Sequence, residues 1–233
     1  MDHPLALMSS MATRPILAEL ARHLAEDHGT RLDATAAGGV EIARRVRGGA
    51  GADLLVLAED ALADLAAEGH VRADTVRPLW ISQVVAAVPA GAAIPVFGTE
   101  ADLAAAVRTA GRIAYSTGPS GSALLGLLGR LDLLESVQDR LVQAPPGVPV
   151  GSLLASGAAE LAFQQHSELL GLPGVRVLGP LPGASAISSV FAAGVLSSSG
   201  QPGRATHVLD LFGSDRASAI AGAHGMTAAR GRP

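Results

Sequence analysis

The chain has 233 residues, of which 48% are hydrophobic and 3% aromatic, and its formal net charge at pH 7 is −4. So few aromatic residues argue against a stacking surface for single-stranded nucleic acid, and the acidic balance argues against general nucleic-acid binding. The sequence contains no cysteine, lysine or asparagine. These absences exclude disulfides, thiolate chemistry, Schiff-base catalysis and a Walker A lysine.

The start of the chain lacks the basic segment, apolar core and small-residue cleavage site of a secretion signal. The sequence also lacks an apolar run of 18 or more residues, the length that a membrane-spanning helix needs. We therefore predict no membrane insertion and a cytoplasmic location, or a periplasmic or extracellular one if a leader has been removed. No cofactor or metal is expected, because neither a dinucleotide fingerprint nor a metal-ligand spacing occurs.

Strand and helix patterns alternate through the first part of the chain. A short apolar run ends at Ser9-Ser10, a second ends near residues 37–39, and the buried run of residues 52–58 is the strongest strand prediction. A helical pattern follows each of them. This order predicts an α/β fold of the doubly wound kind, in which ligands lie at the carboxyl ends of the strands.

Two later apolar segments, residues 79–88 and 187–196, predict crossings between two lobes. We expect lobe 1 to comprise residues 1–82 and 192–233 and lobe 2 to comprise residues 83–191, each a mostly parallel sheet flanked by helices. The ligand cleft is expected between them. In the second lobe, Thr99 and Asp102 have the spacing of a capping box. Residues 228–233 are predicted to fray.

Two junctions join a strand to a helix through residues rich in hydroxyl groups. The first is residues 9–14, with the sequence SSMATR, and the second is residues 116–121, with the sequence STGPSG. The N–H groups at the start of a helix lack intrahelical partners and lie at the positive end of the dipole. Together the two junctions predict anion binding, although each one alone is equally consistent with an ordinary turn and N-cap.

The order of the segments resembles the class II periplasmic-binding-protein family, in its branch of molybdate-like substrate-binding proteins. The similar segments are LALMSSMATRPILAELA, GGVEIARRVRGGAGADLLVLAEDALADLAAEG, IAYSTGPSGSALL, VQAPPGVPVGSLLASGAAELAFQQHSELL and VRVLGPLP. The resemblance implies a two-lobe fold whose ligand lies between the lobes, held by hydroxyls and helix N-termini. Together with the strand ends, it gives these candidate ligand-binding residues: Ser9, Ser10, Met11, Thr13, Arg14, Gly38, Gly39, Ser116, Thr117, Ser120, Gly121, Gln164 and Gln165.

The same branch contains aconitate isomerase, which the segments STGPSG and FQQHSELL resemble. This implies a cofactor-independent isomerase of a small unsaturated di- or tricarboxylate. The alternative is a solute-binding protein for a carboxylate or an oxyanion such as molybdate, serving an ABC transporter or a sensor. Under either hypothesis the partner is a small anion, and we expect a monomer or a weak dimer.

Several charged residues are candidates for binding a carboxylate. Arg14 is the last residue of the first junction and could bind a carboxylate through two hydrogen bonds, and Arg45 and Arg77 are alternatives. Each of the three could equally be an ordinary surface arginine.

Proton transfer needs a base near the strand ends. His166 follows an apolar run directly, next to Gln164 and Gln165, and histidine titrates near neutral pH. Glu59, Asp60 and Glu168 are rival bases. The alternatives are a surface or capping histidine and, for Glu59 and Asp60, acidic residues that favour a helix N-terminus.

Overall fold

A computed structural model describes residues 3–145 and 147–229 of the chain, and within these ranges strands and helices alternate. The strands are β1 (Leu5–Ser10), β2 (Leu32–Ala37), β3 (Leu54–Ala58), β4 (Arg77–Pro89), β5 (Ile113–Tyr115), β6 (Leu141–Gln143), β7 (Leu161–Gln165), β8 (Val175–Pro180), β9 (Ser188–Val195) and β10 (Met226–Ala228). The helices are α1 (Arg14–His28), α2 (Gly39–Arg47), α3 (Glu59–Ala67), α4 (Glu100–Thr109), α5 (Pro119–Arg130), α6 (Leu134–Val137), α7 (Val150–Ala155), α8 (His166–Leu169), α9 (Pro202–Phe212) and α10 (Asp215–Ala223).

The chain folds into two compact units. The first unit comprises the described part of Met1–Ser82 and of Ser189–Pro233, and the second comprises Gln83–Ser188. The chain passes from one unit to the other in β4 and returns at the start of β9. The first unit is therefore built from two separate stretches of sequence, whereas the second is continuous.

In the first unit, β1 is the central parallel strand. It pairs with β2 on one side, where Ser10 lies opposite Ala37, and with β3 on the other, where Ser9 lies opposite Val56. β9 then adds to β3 in the antiparallel direction. Because β1, β2 and β3 run the same way, their carboxyl ends meet at one edge of the sheet, and α1, α2 and α3 begin there.

Each face of this sheet is covered by helices, because alternate strand residues point to opposite faces. On one face, Leu5 and Leu7 belong to a buried core that also takes in Ile16 of α1. The same core needs residues from the end of the chain, such as Phe191 and Phe212. On the other face, the core is formed by side chains from β3, α2 and α3: Leu55, Leu57, Ile42, Val46, Leu62 and Leu65. Burying one such leucine contributes about 1.5–3 kcal/mol.

In the second unit, β5 lies between β6 and β7 and is parallel to both. β4 pairs with β7 and with β8 in the antiparallel direction. The carboxyl ends of β5, β6 and β7 again share one edge, and α5, α7 and α8 begin near it. At the start of α4, the predicted capping box is present: the Asp102 backbone N–H donates to the Thr99 hydroxyl at 3.1 Å, and the Asp102 carboxylate accepts from the Thr99 N–H.

The prediction that the chain frays from Ala228 onwards is wrong at its first residue. Residues 226–228 form β10, which pairs with β4 so that Thr227 lies opposite Ile81 and Ala228 opposite Trp80. The buried side chain of Met226 anchors this strand in the core of the first unit. Ala229 is also held, because its backbone N–H donates to the Leu79 carbonyl oxygen at 2.8 Å, and residues 230–233 lie outside the described residues.

Candidate functional site

The first hydroxyl turn, residues 9–14, lies where β1 ends and α1 begins. Ser9, Ser10 and Thr13 are 1%, 7% and 0% exposed, whereas Met11 is partly exposed and Arg14 is exposed. The Thr13 hydroxyl donates to the Ser10 carbonyl oxygen at 3.1 Å, which closes the single turn of 3-10 helix at residues 11–13. The hydroxyl oxygens of Ser10 and Thr13 lie 3.4 Å apart, so the two hydroxyl groups of this turn face each other.

Three helices begin at this edge, and their charges differ. The first turn of α1 contains no acidic residue, whereas α3 begins with Glu59 and Asp60. In α2, Glu41 accepts from Arg44 and Arg45 at 2.8 Å, and these hydrogen bonds lower the pKa of Glu41 from 4.5 to about 2. Carboxylates at a helix start offset its positive potential. The start of α1 is therefore the most favourable of the three for an anion, and that of α3 the least.

Arg14, the first residue of α1, is exposed and has no hydrogen bond or ion pair with another described residue. The two alternative arginines are engaged elsewhere, because Arg45 binds Glu41 and Arg77 binds Asp210. Arg14 therefore keeps its guanidinium donors available beside the first hydroxyl turn. A guanidinium with free donors can bind a carboxylate through two parallel hydrogen bonds.

The second hydroxyl turn, residues 116–121, lies where β5 ends and α5 begins. The hydroxyl oxygens of Ser116 and Ser120 are 2.8 Å apart, so one donates to the other and a hydroxyl hydrogen remains for a ligand. Both side chains are partly exposed, and Thr117 is exposed. The first turn of α5 contains no acidic residue. Pro119, the first residue of α5, has no backbone N–H, and an N–H at this position would have no partner within the helix.

Gly121 sets how closely α5 approaches the end of β5. A β-carbon at this position would lie 1.9 Å from the backbone oxygen of Ser116 and 3.1 Å from Cδ2 of Tyr115. Real β-carbons essentially never approach a backbone atom so closely. Only glycine is therefore compatible with the second hydroxyl turn as it is folded.

A third group of candidates lies where β7 passes into α8. Gln164 is 3% exposed, and both ends of its amide form hydrogen bonds within the second unit. Its Oε1 accepts from the backbone N–H of Val150 at 3.1 Å, and its Nε2 donates to Oε2 of Glu168 at 2.7 Å. Gln165 is also buried, while His166 is only partly buried.

The structure places the predicted residues in two groups, one in each unit. The sheet edge of the first unit carries these: Ser9, Ser10, Met11, Thr13, Arg14, Gly38, Gly39, Glu59 and Asp60. The sheet edge of the second unit carries these: Ser116, Thr117, Ser120, Gly121, Gln164, Gln165, His166 and Glu168. Among the described residues, no cluster of three or more histidine, aspartate or glutamate side chains could hold a metal ion.

Sequence reasoning missed two features of the second edge. The backbone N–H of Val150 uses the amide oxygen of Gln164, which no local pattern shows. The bond from Gln164 to Glu168 joins residues four apart, and that spacing was a signal that could have been read. Ser167 was also missed: its hydroxyl is buried without a partner among the described residues.

Comparison with known proteins identifies the family. Residues 5–227 match the model of a family described as bacterial extracellular solute-binding protein. An aconitate isomerase from Pseudomonas sp. is 30% identical over 223 residues, which cover 93% of this chain and 85% of that protein.

Solved structures agree with this family. The periplasmic molybdate-binding protein of Azotobacter vinelandii is 21% identical with a TM-score of 0.83, and the match covers 96% of this chain and 98% of that one. The sulfate-binding protein of Mycobacterium tuberculosis is 18% identical with a TM-score of 0.78, and the match covers 97% and 88%. The predicted α/β, two-lobe, type II periplasmic-binding-protein fold is thereby confirmed. The chain belongs to the bacterial extracellular solute-binding protein family.

Proposed function

We propose that the protein binds a small anion, a carboxylate or an oxyanion, through its two hydroxyl turns and the helices that follow them. The observation that carries this proposal is that each turn brings two hydroxyl oxygens together, Ser10 with Thr13 and Ser116 with Ser120, directly before a helix whose first turn contains no acidic residue. The relatives named for molybdate and sulfate support a small anion as the ligand.

The distribution of charge favours an anion at the first turn. Arg14 adds one cation with free donors there, whereas residues 116–121 of the second turn offer hydroxyls and backbone N–H groups. A guanidinium can bind a carboxylate or a tetrahedral oxyanion through two parallel hydrogen bonds, so Arg14 supports an anion of either class.

Removing one serine hydroxyl from either turn should weaken binding. We expect Ser10→Ala and Ser120→Ala each to reduce the affinity for the same anion by about 0.5–3 kcal/mol, because a hydrogen bond to a charged group is lost. Calorimetry with molybdate, sulfate, cis-aconitate and trans-aconitate measures the effect and identifies the preferred class of anion. Ser198→Ala is the matched control, since this serine is exposed. Unchanged affinity in both variants would contradict the site.

The second candidate function is isomerisation of a small unsaturated di- or tricarboxylate, and the 30% identity to an aconitate isomerase favours it. A base would remove a proton from a carbon next to a carboxylate, leaving an electron pair delocalised as a dienolate. The proton then returns to a different carbon, or to the same carbon after rotation, so no atom is gained or lost. Hydroxyls and helix N-termini would stabilise the anion, and the base would be His166, Glu168 or Glu59.

Solvent exchange distinguishes isomerisation from binding alone. The protein is incubated with cis- or trans-aconitate in deuterated water, and NMR follows the substrate. We expect deuterium at the carbon that loses its proton and a change from one isomer to the other, with a protein-free sample as control. If neither acid exchanges, the isomerase proposal fails and anion binding remains.

The family description also bears on where the protein acts. Its members are described as extracellular solute-binding proteins, which favours a location outside the cytoplasm over the cytoplasmic location predicted from the sequence. Within residues 3–145 and 147–229, no helix has the length and apolar character needed to cross a membrane. As a binding protein it would supply its anion to an ABC transporter or a sensor. A monomer or weak dimer remains a prediction.

A further inference from the structure

Gln164 was predicted to contact the ligand, yet both ends of its side-chain amide form hydrogen bonds inside the second unit. The side chain is buried, its oxygen accepts from the N–H of Val150, and its nitrogen donates to Oε2 of Glu168 at 2.7 Å. An amide that turned towards a ligand would give up both hydrogen bonds. The buried Gln164 therefore suits a role that acts through Glu168.

The two hydrogen bonds of the Gln164 side chain connect β7 to two helices, to α7 through Val150 and to α8 through Glu168. Val150 is the first residue of α7, so its N–H is one of the groups that lack a partner within the helix. Gln164 lies on β7, which pairs with β5 on one side and β4 on the other. The amide is thus held by a central strand and a helix start, and it holds one oxygen of Glu168 in place.

The direction of the second bond determines which form of Glu168 it favours. The Gln164 nitrogen can only donate, so the carboxylate oxygen must accept. A hydrogen bond donated to the charged form of an acid favours that form. The bond from Gln164 therefore favours the ionised form of Glu168, the state that a general base needs before it takes a proton.

His166 lacks a comparable support. Its ring is partly exposed and has no hydrogen-bond partner among the described residues. The elements with the most contacts to α8 are α7, β7 and β8, and among their described residues Arg176 of β8 is ionisable and exposed. His166 of α8 and Arg176 of β8 are thus charged or titratable groups on the same side of the unit as Glu168.

We propose that Gln164 is a positioning residue that orients Glu168 and holds it ionised, so that Glu168 is the base of the proposed isomerisation. This inference rests on the isomerase candidate described above. It assigns Gln164 a role other than contact with the ligand, and it selects Glu168 over His166 and Glu59.

The direct test measures the titration of Glu168 and needs no turnover. The carboxyl carbon of Glu168 is followed by carbon-13 NMR against pH and assigned with Glu168→Gln. In Gln164→Met, which keeps the side-chain length but has no donor, we expect the titration midpoint to rise by about one pH unit, a tenfold change in proton affinity. Gln138→Met, at an exposed position, should leave the midpoint unchanged.

Gln164→Met also removes the acceptor for the backbone N–H of Val150, which could affect folding. A second variant controls for this effect. Gln164→Glu keeps an oxygen that can accept from Val150 and replaces the donor with a second carboxylate, so the pair should take up one proton at a pH above the usual carboxyl range. Gln138→Glu adds the same charge at an exposed site as control. A Glu168 midpoint that stays at the wild-type value in both Gln164 variants would overturn the inference.

The rate measurement separates this inference from the isomerase proposal. If wild-type protein isomerises aconitate, the acid limb of the kcat–pH profile should shift to higher pH in Gln164→Met, while KM changes little. If wild-type protein exchanges no proton of either aconitate isomer, the isomerase proposal and the base role of Glu168 both fail. In that case the titration still decides whether Gln164 controls the charge of Glu168.

Discussion

Replacing Gly121 with alanine is expected to destabilise the second unit by about 3 kcal/mol and to abolish its contribution to anion binding. The added methyl group would lie 1.9 Å from the backbone oxygen of Ser116, a rigid atom that cannot turn aside as a side chain would. Either α5 or the end of β5 must shift, and the contact between the Ser116 and Ser120 hydroxyls is then lost. Denaturant unfolding and calorimetric anion binding measure the two effects.

The same helix provides a matched control. Gly126 also lies within α5, but a β-carbon there would meet no atom within 4 Å. Gly126→Ala should therefore stabilise the helix by about 0.5–1 kcal/mol, because glycine loses more conformational freedom on folding than alanine does. Equal stability and binding in both alanine variants would show that the second hydroxyl turn does not depend on the close approach.

Glu168→Gln is expected to lower the turnover of an unsaturated polycarboxylate by about 10²–10⁴-fold, the usual contribution of a positioned base. The amide keeps the shape of the side chain but cannot take a proton, so affinity for the substrate should change little. Initial rates by NMR give the turnover, and calorimetry gives the affinity.

Two comparisons sharpen this prediction. Glu135→Gln removes an exposed carboxylate in α6 and should leave turnover unchanged. His166→Ala tests the rival base: a loss of the same size there, with near-normal turnover in Glu168→Gln, would transfer the role to His166. If turnover survives both substitutions, Glu59 and Asp60 are the next residues to test.

Much of the fold was predictable because its signals are local. The apolar run ending at Ala58 indicated β3, the leucine spacing after residue 121 indicated α5, and Thr99 with Asp102 indicated a helix start. Each of these signals depends on side chains within one element. The positions of the two hydroxyl turns could therefore be read from the sequence alone.

Features that depend on distant partners could not be read in this way. The frayed-tail prediction failed at Ala228 because β10 pairs with residues of β4 that lie far away in the sequence. Nothing near Arg77 in the sequence shows that Asp210 binds it, or that Arg14 has no such partner in the part of the chain that the structure describes. Gly121 was recognised as a glycine of the turn, but the need for it follows only from the measured distance to Ser116.

The division of the chain into one continuous and one interrupted unit has a consequence during synthesis. The second unit ends at Ser188, so all its residues have been made while the last part of the chain is still being translated. The core around β1 and α1 includes Phe191 and Phe212, so it cannot be completed before both residues have been translated. Because a unit generally folds as a whole, the first unit cannot finish folding before its C-terminal stretch has been translated. The apolar side chains of β1 and α1 remain incompletely buried until then. The residues of β1 and α1 are thus translated before those of the second unit but are buried after all of the second unit has been made.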